Sequence, residues 1–131
     1  MGLGALLAKA WLKTEEEDSE MRDHRQLRVF QDAHQLVKAV YVLTRAFPKE
    51  EQFGLTSQVR RSASSVPFNI VEGSGRASTK EYLRFLEIAY SSCQELCYQL
   101  LLVREMEVAL VPPEVEQLSD VVSKQLAKLI Q

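Results

Sequence analysis

Cysteine and histidine are scarce in this chain of 131 residues, which contains two of each. Cys93 and Cys97 are four residues apart in a segment with a helical pattern, so we expect both on one helix face, as core-filling thiols without a disulfide. His24 and His34 have no ligand-spaced companions, so the sequence predicts no metal site and no cofactor. Free thiols favour a reducing, cytoplasmic setting.

Neither sign of charge dominates the chain, which has 16 Lys and Arg and 18 Asp and Glu and therefore a net charge of −2. This balance excludes a general basic field that would hold nucleic acid or an anionic membrane, so such binding would need a local patch. With 5 Gly, 4 Pro and 46% hydrophobic residues, a collagen-like or wholly disordered chain is also excluded. One globular domain is the expectation.

Long hydrophobic runs are absent as well. The apolar run over residues 3–12 is about half the length that a membrane span needs. No basic residue precedes this run and Lys9 interrupts it, so it makes a poor signal peptide. We expect residues 1–26 to form a leader that is flexible or a short helix, and residues 27–131 to form the folded domain.

Apolar residues recur at i, i+3, i+4 and i+7 in four later segments, and no segment alternates with period two. This spacing predicts helices at about 28–46, 56–73 and 79–107 and a fourth from Val115 onward. Four amphipathic helices with short connections predict an all-α, antiparallel up-down-up-down four-helix bundle.

Two local signals refine these helices. Pro67 lies inside the second one, where a proline removes a hydrogen bond and predicts a kink near residues 63–66. Ser78 and Glu81 have the spacing of a capping box, which predicts the start of the third helix.

The third helix carries more apolar surface than one core stripe requires. The additional residues are Tyr90, Tyr98, Leu101, Leu102 and Met106. Because monomers rarely expose contiguous apolar patches, this surplus predicts self-association.

Residues 53–61, FGLTSQVRR, and 65–73, SVPFNIVEG, are followed by Gly75 and Arg76 and later by EYLRFLEIA at 81–89. This combination closely resembles the 23S rRNA intervening-sequence proteins over about residues 27–129. The resemblance implies a bacterial four-helix bundle that forms a homopentamer, has no known catalytic activity and is encoded within insertions of the 23S rRNA gene. A related branch of the family assists the reverse transcriptase of diversity-generating retroelements and is thought to bind nucleic acid.

The densest positive region of the chain has a local net charge of +3 and forms the candidate nucleic-acid site, Arg60, Arg61, Arg76, Lys80 and Arg84. One interpretation is a patch that contacts phosphates. The other is structural pairing, with Arg60 or Arg61 bound to a carboxylate of a neighbouring helix or subunit and Arg76 folded back on Glu72. The neutral charge of residues 27–131 departs from the nucleic-acid-binding branch.

Asn69 and Glu72 end the second apolar stripe, and neither has a second carboxylate or a histidine at catalytic spacing. We expect both to make hydrogen bonds between helices or subunits. The sequence thus predicts a non-enzymatic homo-oligomeric bundle, with no catalytic residue, membrane contact or small-molecule substrate. The alternative is an accessory protein that binds RNA or DNA through the basic patch.

Overall fold

The structure of the protein, a computed structural model, describes residues 23–131. The apolar and acidic runs of the predicted leader, within residues 1–22, lie outside the described residues. The described part contains four α-helices and no strand: α1 (Arg28–Thr44), α2 (Leu55–Ser74), α3 (Thr79–Glu105) and α4 (Pro113–Ile130). These helices confirm the predicted all-α four-helix bundle, and their bounds lie within two residues of those predicted.

The ends of the helices follow from local chemistry. The Ser78 hydroxyl accepts the Glu81 amide at 3.1 Å and so caps the first turn of α3, as predicted. At the other end of α3 the amide of Glu107 donates to Arg104 and that of Val108 donates to Val103, which is a Schellman motif. Glu107 occupies the position of this motif that usually holds glycine, and its φ is 56°.

The four helices form a ring in which α2 packs against α1 and α3, and α4 packs against α3 and α1. Their inner faces supply a common core that includes Leu36, Val59, Leu96 and Leu126, all fully buried. This burial of apolar side chains is the main force that holds the bundle together.

Of the helix pairs in the bundle, α2 and α3 have the most extensive contact. The two helices run in opposite directions. Ser62 bonds Glu95, and three residues further along α2, Ser65 bonds Ser92, which lies three residues earlier in α3. Gly73 lets the two helices approach closely, because a Cβ there would lie 2.8 Å from the Cβ of Phe85.

Pro67 is buried inside α2, and the helix continues past it to Ser74. The kink at this proline and the up-down-up-down order of the whole bundle stay predictions. Among the described helices, none has the length and apolar character to cross a membrane.

Residues 23–26, which the sequence assigned to the leader, lie against the bundle. His24–Gln26 form a 3-10 turn that contacts α1 and α2. The carboxylate of Asp23 accepts the backbone amide of Arg25 at 3.0 Å and its Nε at 2.9 Å. The His24 ring meets Phe30 edge-on, with 4.9 Å between the ring centroids. The turn therefore extends the packed structure to Asp23.

Candidate functional site

The five positive residues of the candidate nucleic-acid site fall into two groups. Arg60 and Arg61 lie near the start of α2, whereas the other three lie just after α2 or in the first turns of α3. Ser74 lies thirteen positions after Arg61, which corresponds to a helix length of about 20 Å. The structure therefore brings Arg76, Lys80 and Arg84 to one turn and leaves the first pair further along the bundle.

Arg60 is engaged with α1. Its Nε donates to the Thr44 hydroxyl at 2.7 Å, and its guanidinium carbon lies 4.6 Å from the centre of the Tyr41 ring. Its structural partners are thus a hydroxyl and an aromatic face of the neighbouring helix, where the sequence suggested a carboxylate.

Arg76 folds back as the pairing interpretation predicts. Its guanidinium lies 3.7 Å from the Glu72 carboxylate and 4.8 Å above the centre of the Phe85 ring. Lys80 and Arg84 are exposed, with Glu81 and Glu87 on the same surface of α3. Charges of both signs therefore share this turn.

Arg61 borders a polar groove between α2 and α3 with a volume of about 420 Å³. The groove is lined by Gln58, Arg61, Ser62, Ser65, Ser92 and Glu95. The Ser62 hydroxyl donates to Glu95 Oε1 at 3.0 Å, and Gln99 Nε2 donates to the same oxygen at 3.2 Å. The guanidinium of Arg61 is exposed and has no bonded partner among the described residues.

Asn69 and Glu72 bond locally. Asn69 Nδ2 donates to the Ser65 carbonyl at 2.8 Å and to the Ser65 hydroxyl at 3.0 Å. That hydroxyl lies 2.8 Å from the hydroxyl of Ser92 on α3. Asn69 thus orients an interhelical bond from within α2, and Glu72 bonds to Arg76 one turn along the chain.

Sequence reasoning missed Glu95 and Ser92 as partners of α2. The available signal was the polar spacing of Ser62, Ser65 and Asn69, which repeats every three to four residues and therefore follows one face of α2. That face predicts polar partners on a neighbouring helix, but it does not identify them.

The two cysteines are free, with Cys93 buried and Cys97 half-buried, as predicted. Cys93 Sγ donates to the Ser119 carbonyl at 3.3 Å. The hydrogen bond with Cys97, together with burial, raises the pKa of the Cys93 thiol, and the same bond lowers the pKa of Cys97. Within residues 23–131 no three His, Cys, Asp or Glu side chains lie close enough together to hold a metal ion.

The fold and the motifs place this chain in a family of helical bundle proteins. The family model described as 23S rRNA-intervening sequence protein matches residues 25–130, so the chain belongs to that family. Its fold is similar to the crystal structure of a protein of unknown function from the S23 ribosomal protein family of Bacteroides thetaiotaomicron. That match has a TM-score of 0.73 at 22% identity and covers 79% of this chain and 98% of the other. No curated protein matches the sequence.

Proposed function

We propose that this protein is a non-enzymatic cytoplasmic scaffold that assembles with copies of itself into a homopentamer, the assembly that the family resemblance implies. The observation that carries the proposal is the exposure of large apolar side chains on outer helix faces. Phe68 on α2 is 71% exposed and Tyr98 on α3 is 62% exposed. A second copy that covered them would remove this apolar area from water.

The apolar surplus predicted for α3 is only partly accommodated within one chain. Tyr90, Leu101 and Leu102 are half-buried. Tyr98 and Met106 remain exposed, and Ile88 on the same helix is 41% exposed. These three side chains supply apolar surface for contact between copies.

Size-exclusion chromatography with light scattering on the full chain tests the proposal. We expect a particle that is a multiple of the 14.9 kDa chain mass, five times that mass for a pentamer. A single species of one chain mass at micromolar concentration would contradict it.

Nucleic-acid binding is the second candidate function, supported by the position of Arg76, Lys80 and Arg84 at one turn. The amides at the start of α3 add positive potential there. Titration of structured RNA and of duplex DNA at two salt concentrations tests it. Binding should weaken with salt, and Lys80→Glu with Arg84→Glu should abolish it, whereas Lys38→Glu on the exposed face of α1 should not. Absence of binding at low salt eliminates this candidate.

A further inference from the structure

The two halves of the bundle carry opposite charge. Within the ring of helices α1 and α2 are neighbours and so are α3 and α4, whereas among the described residues α1 does not contact α3 and α2 does not contact α4. The α1–α2 half therefore lies opposite the α3–α4 half. The helices α1 and α2 carry four basic and two acidic residues, and α3 and α4 carry five basic and seven acidic residues. The first half thus has a net charge of +2 and the second a net charge of −2.

The outer side of the first half is a basic surface around Tyr41. The guanidinium of Arg60 lies over the Tyr41 ring and so marks the seam between α1 and α2. Lys38 lies three residues before Tyr41 and Arg45 four residues after it, in continuing helical backbone, so all three follow one side of α1. Val71 lies three turns after Arg60 on the same side of α2. We call this surface the α1–α2 face, comprising Lys38, Tyr41, Arg45, Arg60 and Val71.

Neither carboxylate of α1 and α2 offsets the positive charge of this face. Asp32 accepts a hydrogen bond from a side chain of α4 at 2.8 Å and so points away from the seam. Glu72 is paired with Arg76. The side chains of Lys38 and Arg45 are exposed and bond to no other described residue. The α1–α2 face therefore combines unpaired positive charge with two exposed apolar side chains.

An acidic surface covers the outer side of the second half. The Ser123 hydroxyl donates to Gln94 Oε1 at 2.7 Å and so marks the seam between α3 and α4. Five further residues share the side of α3 that Gln94 occupies, because they lie four, seven or eleven positions from it. With Gln94 they form the α3–α4 face, which comprises Glu87, Tyr90, Gln94, Tyr98, Leu101 and Glu105.

The carboxylates of Glu87 and Glu105 are the unpaired charges of the α3–α4 face. Both are exposed, and neither side chain bonds to another described residue. Two carboxylates of α4 beside the seam are already held in ion pairs. Tyr98 is 62% exposed and adds apolar area between the two charges. The second face therefore combines unpaired negative charge with apolar surface.

The two faces complement each other and not themselves. A contact between two α1–α2 faces, or between two α3–α4 faces, would bring like charges together, which is unfavourable at an interface. A contact between one face of each kind pairs opposite charges and covers apolar area on both sides. Every copy then has one face for each of two neighbours, so the contact repeats from copy to copy. Such a heterologous contact closes into a ring with an odd or an even number of copies.

We infer that the α1–α2 face of one copy of this chain binds the α3–α4 face of the next. The inference rests on the proposed self-assembly and adds the two surfaces that mediate it and the head-to-tail order of the copies. It assigns the free charges of both faces to the contact between neighbours.

An exchange of charge between the two faces tests the inference on the full chain. Lys38→Glu with Arg45→Glu reverses the first face, and Glu87→Lys with Glu105→Lys reverses the second. Each double variant places like charges across the contact and should raise its apparent dissociation constant at least about tenfold. One chain with all four substitutions again has complementary faces, with the signs exchanged, and should assemble. Lys128→Glu, beside the α1–α4 groove, is the control and should assemble as the unmodified chain does.

The salt dependence of assembly provides a second measurement, which uses the unmodified chain and so does not depend on the folding of any variant. Salt screens the attraction between surfaces of opposite charge, so the apparent dissociation constant should rise with salt concentration. Contact between like faces would give the opposite dependence. A dissociation constant that falls or stays constant as salt is added would overturn the inference.

Light scattering and the helical circular-dichroism signal are recorded for each sample, because a variant that has unfolded would lose the second signal as well as the first. If the unmodified chain is monomeric, the proposed function fails along with this inference. If the unmodified chain and both double variants assemble equally, the two faces are wrong and the proposed function stands. Folded double variants that lose assembly, with no recovery in the chain that carries all four substitutions, also overturn the head-to-tail contact.

Discussion

The hydroxyl of Ser62 on α2 donates to Oε1 of Glu95 on α3 at 3.0 Å. Together with the hydrogen bond between Ser65 and Ser92, this bond fixes the register of α2 against α3, the most extensive helix contact in the bundle. It also fixes the position of the Glu95 carboxylate on α3, so one serine contributes both to folding and to the placement of that side chain.

Replacement of Ser62 with alanine should lower the free energy of unfolding by about 1 kcal/mol, because it removes a partly buried hydrogen bond between α2 and α3. Urea unfolding followed by circular dichroism measures the change. The exposed Ser57, earlier on the same helix, provides the control, and Ser57→Ala should have little effect. Equal urea midpoints for the two variants would show that the hydrogen bond between Ser62 and Glu95 does not contribute to stability.

Gly73→Ala should lower the free energy of unfolding by about 1–3 kcal/mol, because the added methyl carbon would lie against the Cβ of Phe85 and push α2 and α3 apart. Gly75→Ala is the matched control, since the nearest atom to a Cβ there is the Glu72 carbonyl oxygen at 3.7 Å. Thermal unfolding of both variants measures the difference. A Gly73→Ala protein as stable as the Gly75→Ala protein would refute the close approach of the two helices.

Glu107→Gly should raise the free energy of unfolding by about 1 kcal/mol. Glu107 has a φ of 56°, which costs energy for a residue with a Cβ and costs glycine almost none. Glu105→Gly, within the last turn of α3, should have the opposite sign because glycine weakens a helix. Denaturant midpoints of the two variants should move in opposite directions, and a shift of both to lower denaturant would contradict the strain at Glu107.

The N-terminal turn should make stability depend on pH through His24. Burial lowers the pKa of this histidine, an effect that Arg25 reinforces and Asp23 opposes. The unfolded chain then binds the proton more readily than the folded chain, so the stabilisation is present above the ordinary histidine pKa and is lost as the pH falls through the lower folded pKa.

Unfolding measured between about pH 7.5 and about pH 5.5, the range where histidine titrates, tests this dependence. His24→Gln should lose less stability on acidification than the unmodified chain. If the free energy of unfolding of His24→Gln fell as steeply with decreasing pH as that of the unmodified chain, protonation of His24 would not contribute to the pH dependence.

The sequence predicted the helices well because each has a periodic apolar stripe and a local stop or start signal, such as Pro48 after α1 and the Ser78 cap of α3. Local signals act over a few residues, so they are visible in the sequence itself. The N-terminal turn was assigned to the leader because it has no apolar period. Its packing depends on the bidentate contact of Arg25 with Asp23 and on the contact of His24 with Phe30.

The candidate site was harder to predict because its contacts join residues distant in the chain. The i+4 pair of Glu72 and Arg76 was predictable from spacing. The contact of Arg60 with Thr44 and that of Ser62 with Glu95 depend on the register between helices, which composition and periodicity do not encode. The expectation that all five basic residues lie together did not take the length of α2 into account. This helix separates Arg60 and Arg61 from the other three.

Sedimentation equilibrium of the unmodified full chain over a range of micromolar concentrations shows whether copies of this chain bind one another. We expect an average mass well above the 14.9 kDa of one chain, decreasing towards that value only on dilution. A mass of one chain at every concentration would contradict it.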